Sequence, residues 1–384
     1  MSSASTNFGK YRLFSLFGFE VKLDISWLLL ALLITWSLGA GVFPLEYPDL
    51  PRPVYAWMGF ACAIGVFFSI VFHEFAHSFV ARQFGMPIKG ITLFIFGGIA
   101  EMEKEPPSPK SEFLMAAAGP LASFLLAIVF NGFESLAVAR EWPVSFVGVF
   151  DKLAYINIVV AIFNLVPAFP LDGGRMFRAA LWKWKNDMRV ATQISSRIGT
   201  GFGLALMILG GIAVIQGNFI GGMWWFLIGI FLRNAAAASY QQLLLQDALS
   251  GRPVREFMRR DPIVVPPSIT VQEWIEEYVY RHHFKMFPVV EDSALLGCIS
   301  IAKIKEIPRA DWPQRNIRSV MEPISATNCV NADADTMKLL TTMVQPRTAS
   351  RFMVTENGEL VGMISLKDLL ELIALKLEIE RSAK

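Results

Sequence analysis

Apolar positions along the chain are distributed in two different ways. Up to about residue 245 they run together in long blocks; beyond it, short alternating stretches are broken by charged and turn-forming residues. A helix needs about 20 apolar residues to cross a hydrocarbon core about 30 Å thick. Six stretches qualify, at 25–45, 54–83, 111–137, 149–166, 197–216 and 218–239. The last two are close enough to form a tight helical hairpin through Gly217 and Asn218. Between the second and third stretches, Ile88 to Glu103 is rich in Ile, Phe and Thr, carries Gly97-Gly98 and is too short to span, so it predicts a β-hairpin. Open strand edges cannot face lipid, so this hairpin must lie on protein or line a water-filled cavity.

Past Arg252 one pattern occurs twice. The first copy runs from VREFMRRDPIVVPPSITVQEW to FPVVEDSALLGCIS. The second runs from IRSVMEPISATNCVNADADTM to RFMVTENGELVGMISLKDLL and ends in a helix near Ile373. Each copy is about 55 residues, small for independent stability, so the two should pack together. The expected fold is a multi-pass α-helical membrane domain over 1–245, with about six transmembrane helices and a membrane-associated β-hairpin. A soluble α/β module with repeats at 253–308 and 316–374 follows it.

Composition agrees. Across 384 residues the chain is 54% hydrophobic and 18% charged, and its mean hydropathy of +0.45 is too high for an ordinary soluble protein. A net charge of +2 without any basic stripe gives no footprint for nucleic acid, which is excluded as a partner. Cys62, Cys298 and Cys329 lie far apart with no CxxC spacing, which argues against a disulfide framework or a thiolate metal site. The stretch before Lys22 has no apolar core followed by a small-residue cleavage site, so the first apolar run is expected to stay as a span. Lys10, Arg12 and Lys22, then Arg82, Lys89, Lys104 and Lys110, then Arg175, Arg178, Lys183, Lys185 and Arg189 cluster in alternate connections. By the positive-inside rule this places both termini and the soluble module in the cytoplasm of a cell-membrane protein.

The candidate chemistry lies inside the second span. His73-Glu74-Phe75-Ala76-His77 puts two imidazoles four residues apart, on one face of a helix. Two nitrogen donors suit zinc, and the adjoining Glu74 would reach a water at the metal as general base. Ionisable groups within a membrane cost about 2.5 to 3.5 kcal/mol each, so a cluster of three calls for a function. The other two histidines, His282 and His283, read as a solvated helix end. Catalytic zinc takes three protein ligands and leaves a position for water, so another Asp, Glu or His is needed. Asp172 supplies it in the segment NLVPAFPLDGG, where Pro167 and Pro170 break the helix and Gly173-Gly174 permits a sharp turn.

The HEFAH helix, a turn at Ala116 to Pro120 (AAAGP) and NLVPAFPLDGG, in this order, resemble the site-2 protease family of intramembrane zinc metalloproteases. The resemblance implies one zinc per chain on His73, His77 and Asp172, with Glu74 as the base. It further implies that Asn164 holds substrate backbone or the oxyanion, and that the hairpin around Phe94 to Ile99, with Gly97 and Gly98, takes substrate as an added strand. The substrate would be a transmembrane protein, cut within the lipid bilayer. FPVVEDSALLGCIS and FMVTENGELVGMISLKDLL resemble a tandem pair of cystathionine-β-synthase (CBS) modules. These imply a regulatory ATP, ADP or AMP and a homodimer formed through the module. Ser365 and Asp368 match the ribose-holding Ser/Thr-x-x-Asp segment, whereas Ser300 is followed by Lys303 where the Asp belongs. A purely structural CBS pair remains an equal alternative. A CBS-gated transporter is disfavoured, because the helices show no internal repeat with paired interruptions. A zinc scaffold without catalysis would make Glu74 dispensable.

Overall fold

The computed structural model describes residues 10–86, 88–95, 97–102, 106–345 and 349–382. They divide into two compact units that meet between Gln241 and Gln242.

The first unit opens with a hairpin that the reading of the sequence did not anticipate. Strands β1 (Lys10–Leu16) and β2 (Phe19–Asp24) pair antiparallel. They turn at Phe17 and Gly18, both with positive φ, the two-residue turn whose twist suits a hairpin. The alternation in FEVKLD carried the signal, with Phe19 and Val21 buried. Strand β2 continues parallel to β3 (Ile88–Phe94), which pairs antiparallel with β4 (Gly97–Met102), in the order β1-β2-β3-β4. The expected hairpin is therefore half of a larger sheet; Glu103 lies outside the described residues. The sheet is pinned to the helices where Arg82 donates to the Phe17 carbonyl at 2.8 Å and stacks 4.0 Å from the Phe19 ring centre.

Seven helices follow: α1 (Ser26–Glu46), α2 (Arg52–Gln83), α3 (Pro109–Ala139), α4 (Val144–Asn164), α5 (Asp172–Lys185), α6 (Met188–Ile215) and α7 (Phe219–Leu249). Of these, α1, α2, α3, α4 and α6 are long and apolar enough to cross a membrane. The sixth expected span forms the first part of α7, which runs on past Gln241 without a break. Large apolar side chains such as Phe60 and Phe68 on α2 and Leu121 and Ile128 on α3 point outward, as lipid contact requires. Inward positions are small: Cys62, Ala63, Ala116 and Ala161 are buried, so the helices approach closely. At Gly203 with Gly229 and at Gly210 with Gly222, an added Cβ on either residue would press into the other's carbonyl. These two close approaches seal the α6–α7 hairpin, which turns at Gly217 with φ +91°.

The second unit holds two three-stranded sheets. One is β5 (Met286–Glu291), β6 (Ala294–Ser300) and β7 (Glu322–Pro323); the other is β8 (Cys329–Asn331), β9 (Arg351–Glu356) and β10 (Glu359–Ser365). The two repeats exchange their leading segments. Glu322 and Pro323 pair with β6 of the first repeat, and Arg259 pairs with Met363 of the second. Gly297 and Gly362 occupy equivalent places at these crossings, where a side chain would meet the Glu322 and Arg259 carbonyls. Each repeat thus lends backbone to the edge of the other's sheet, which gives a physical reason that two small copies fold as one body. His283 ends a short helical run in left-handed conformation and is exposed, consistent with a helix end rather than a metal site.

The Asp335 carboxylate caps helix α8 (Thr336–Met343) by accepting from the Lys338 backbone N–H at 2.9 Å. That bond is the main reason its carboxyl titrates below the ordinary range. Asp335→Ala should lower the stability of this unit by about 1 kcal/mol, read as faster hydrogen exchange across residues 336–343 in the full-length protein. A depressed carboxyl contributes its stability above its unfolded pKa of about 3.9 and loses it as pH falls through the lower folded value. The difference between wild type and variant should therefore be complete at neutral pH and shrink only below about pH 4.

Candidate active site

Helix α2 carries His73 and His77 one turn apart, both buried, with ring centres 4.8 Å apart. Their Nε2 atoms converge on one oxygen of Asp172: Oδ2 stands 3.1 Å from His73 and 3.2 Å from His77. The opposite ring nitrogens are held from α3. His77 Nδ1 meets the Met115 carbonyl at 2.7 Å, and His73 Nδ1 meets Ser123 Oγ at 2.9 Å. A carbonyl only accepts, so His77 Nδ1 carries the proton and its Nε2 presents a lone pair, the tautomer a metal ligand needs.

The donor set fits zinc. Bonds of about 2.0 to 2.1 Å at tetrahedral angles put neighbouring ligand atoms about 3.3 Å apart, close to the observed separations. The two imidazoles and one carboxylate all lie within 4.8 Å of one another. The space beside them is kept open by Gly119, where a methyl group would overlap both Nε2 atoms.

Two local readings of the sequence need correction. Ala116 to Pro120 is no turn; it lies inside α3, which accommodates Pro120 without ending. Glycine is needed at 119 for approach to the histidines rather than for reversal. Nor does Gly173-Gly174 form a turn, since both residues are buried in the first turn of α5, which Asp172 begins. Helix α4 ends at Asn164, and the chain through Pro167 and the cis Phe169-Pro170 bond folds back over the start of α5. A Cβ at Gly173 would overlap the Leu165 and Val166 carbonyls, and one at Gly174 would overlap Ala168 and Phe169 backbone. Close packing of the returning loop, rather than a sharp turn at Asp172, is what these glycines serve.

Glu74 is half-buried on α2 between the two histidines. Strand β4 lies against it: a Cβ at Gly98 would stand 3.0 Å from Glu74 Oε1 and 2.5 Å from its Cγ. Gly97 begins that strand with φ +127°. Asn164, the last residue of α4, is half-buried. Ser365 and Asp368 meet in the second unit, where Ser365 Oγ accepts from the Asp368 backbone N–H at 3.1 Å and bonds the Asp368 carboxylate. Asp368 also pairs with Arg259. Ser123 and the Met115 carbonyl were not recognised from sequence. A serine four residues after Gly119 in an apolar helix was a faint sign, and a backbone carbonyl leaves none.

The signature of peptidase family M50 matches residues 61–139 and 135–210, and that of the CBS domain matches 254–309 and 317–375. A Synechocystis protein named as a zinc metalloprotease, sll0528, is 31% identical over 92% of this chain and 92% of its own length. The chain belongs to peptidase family M50. It is a zinc metalloprotease, a membrane protein with a CBS pair. The zinc metalloprotease MJ0392 of Methanocaldococcus jannaschii is 29% identical over 97% of this chain and 98% of its own. Among solved structures, the site-2 protease from the same organism aligns with 60% of this chain and 95% of its own at 28% identity, with a TM-score of 0.43.

Gly119→Ala should leave helical content intact by circular dichroism and reduce zinc in the purified protein, measured by elemental analysis, to near zero. The added methyl claims the space that both Nε2 atoms face.

Proposed function

We propose that this M50 protease hydrolyses peptide bonds within or near transmembrane segments of other membrane proteins, with His73, His77 and Asp172 as zinc ligands and Glu74 as general base. The convergence of both Nε2 atoms on Asp172 Oδ2 carries this reading. Zinc held there would polarise the scissile carbonyl and lower the pKa of the attacking water toward about 7. Glu74, one residue from His73, takes the proton of that water and returns it to the leaving amine. Met115 and Ser123 hold the imidazoles in register, and the apolar bundle excludes bulk water.

A transmembrane substrate has its backbone amides already bonded within its own helix, so it must unwind before it can be cut. Strand β4 ends its sheet with no strand beyond it among the described residues, and it runs beside Glu74 at Gly98. An unwound substrate segment added to that edge regains backbone hydrogen bonds next to the base. Gly97 and Gly98 leave room for its approach, and Asn164 binds its backbone or the oxyanion. Both termini and the CBS pair face the cytoplasm. The pair dimerises and takes ATP, ADP or AMP, with Ser365 and Asp368 on the ribose. The Ser365–Asp368 contact supports that assignment, although the same contact also caps a helix.

In detergent, wild type should cut a transmembrane reporter, and cut it faster when Gly or Pro weakens the reporter's helix. Glu74→Gln should lose about 10²–10⁴-fold in rate while keeping its zinc. Equal rates in the two proteins would remove Glu74 from the mechanism. Adenine nucleotide binding to the full-length protein, measured by calorimetry, should disappear in Asp368→Ala; binding unchanged in that variant would leave the Ser365–Asp368 pair a structural cap.

A further inference from the structure

Outside the cluster of ligands, the membrane domain buries a second ionic group. Glu112 is fully buried and Arg178 is 5% exposed. Arg178 Nε donates to Glu112 Oε1 at 2.7 Å, and its Nη2 approaches the same oxygen. The guanidinium also lies over the Phe169 ring, 4.9 Å from its centre.

The places these residues hold in the fold matter more than the bond itself. Glu112 sits in the first turn of α3, and Met115, Gly119 and Ser123 follow it at three, seven and eleven residues, on one face of the helix. That face orients both imidazoles and leaves them their space. Arg178 lies on α5, the helix that Asp172 begins, and its ring partner Phe169 belongs to the loop folded back over the start of α5. The pair therefore joins α3, whose Met115 carbonyl and Ser123 meet the imidazoles of α2, to α5 and to the loop before it, the two segments that meet at Asp172. Two apolar side chains could join these helices at least as tightly, and would tolerate sliding. A buried ion pair tolerates little, because any slip leaves a charge without its partner.

We propose that Glu112 and Arg178 are positioning residues, a strut that sets where the Asp172 carboxylate stands against the two imidazoles and so sets the metal affinity of the centre. The inference rests on the reading of His73, His77 and Asp172 as ligands. Outer partners that orient metal ligands typically change affinity by about 10–100-fold when altered, and the strut acts in that way at one further remove.

The test uses the full-length protein in detergent and three readouts: zinc affinity by chelator competition, the visible absorption spectrum of the cobalt-substituted protein, and kcat with KM. Glu112→Asp keeps the charge paired while drawing the carboxylate back by one methylene, so it disturbs the spacing without leaving a buried charge alone. It should weaken zinc binding by about 10-fold or more, alter the cobalt spectrum and lower kcat with little change in KM. Arg178→Lys should do the same, and the exchanged pair Glu112→Arg with Arg178→Glu should recover part of the affinity that either single exchange loses. Glu112→Asp with wild-type zinc affinity and cobalt spectrum overturns the proposal. Asp172→Asn separates the two layers: if it leaves zinc affinity unchanged, the ligand assignment itself has failed. If it weakens binding while Glu112→Asp does not, only the strut has failed.

Discussion

Inside a helical bundle surrounded by lipid, a buried polar group left without a partner is costly. The arrangement of this membrane domain follows from avoiding that cost for two imidazoles. His77 Nδ1–H donates a hydrogen bond to the Met115 carbonyl and His73 meets Ser123, so one face of α3 has to lie along α2. The same face carries Gly119, without which the two helices could approach but the Nε2 atoms would have no space before them. Asp172 then completes the group from a third helix. Close helix packing, small residues at the contacts and a loop folded back on itself accompany the placing of three polar side chains inside an apolar bundle.

The four-stranded sheet answers the same constraint in a different way. Strands beside a bundle are acceptable only where their backbone groups are paired or face a polar cavity. β1, β2 and β3 pair in turn, and Arg82 fastens the turn between β1 and β2 to α2. β1 and β4 are the two edges of the sheet among the described residues, and it is the β4 edge that passes Glu74. The N-terminal hairpin thus supports the strand nearest the chemistry, though it contributes no side chain to it. In the second unit the two repeats are interlocked by exchanged segments at Glu322 and Arg259.

Much of this was legible in the chain itself, because its signals are local. Long apolar blocks are spans wherever they occur, since the bilayer sets the length and nothing else in the fold need be known. The spacing of His73 and His77 places both on one face by helix geometry alone, with Glu74 beside them. The repeat after Arg252 showed in its own periodicity. Asp172 was picked out by a rule of coordination number, 95 residues further along the chain than His77, and the start of α5 brings its carboxylate to both imidazoles. What only the tertiary structure decided is how glycine and proline are used. Gly119, Gly173 and Gly174 suggest turns to a reader of the sequence, yet all three are helical and serve close approach. A glycine's reason lies in what stands opposite its missing side chain, and neighbouring residues carry no record of that. The Met115 carbonyl, the pairing of β2 with β3 and the meeting of Glu112 with Arg178 across 66 residues were invisible for the same reason. Each is a relation between distant segments that exists only once the helices have packed.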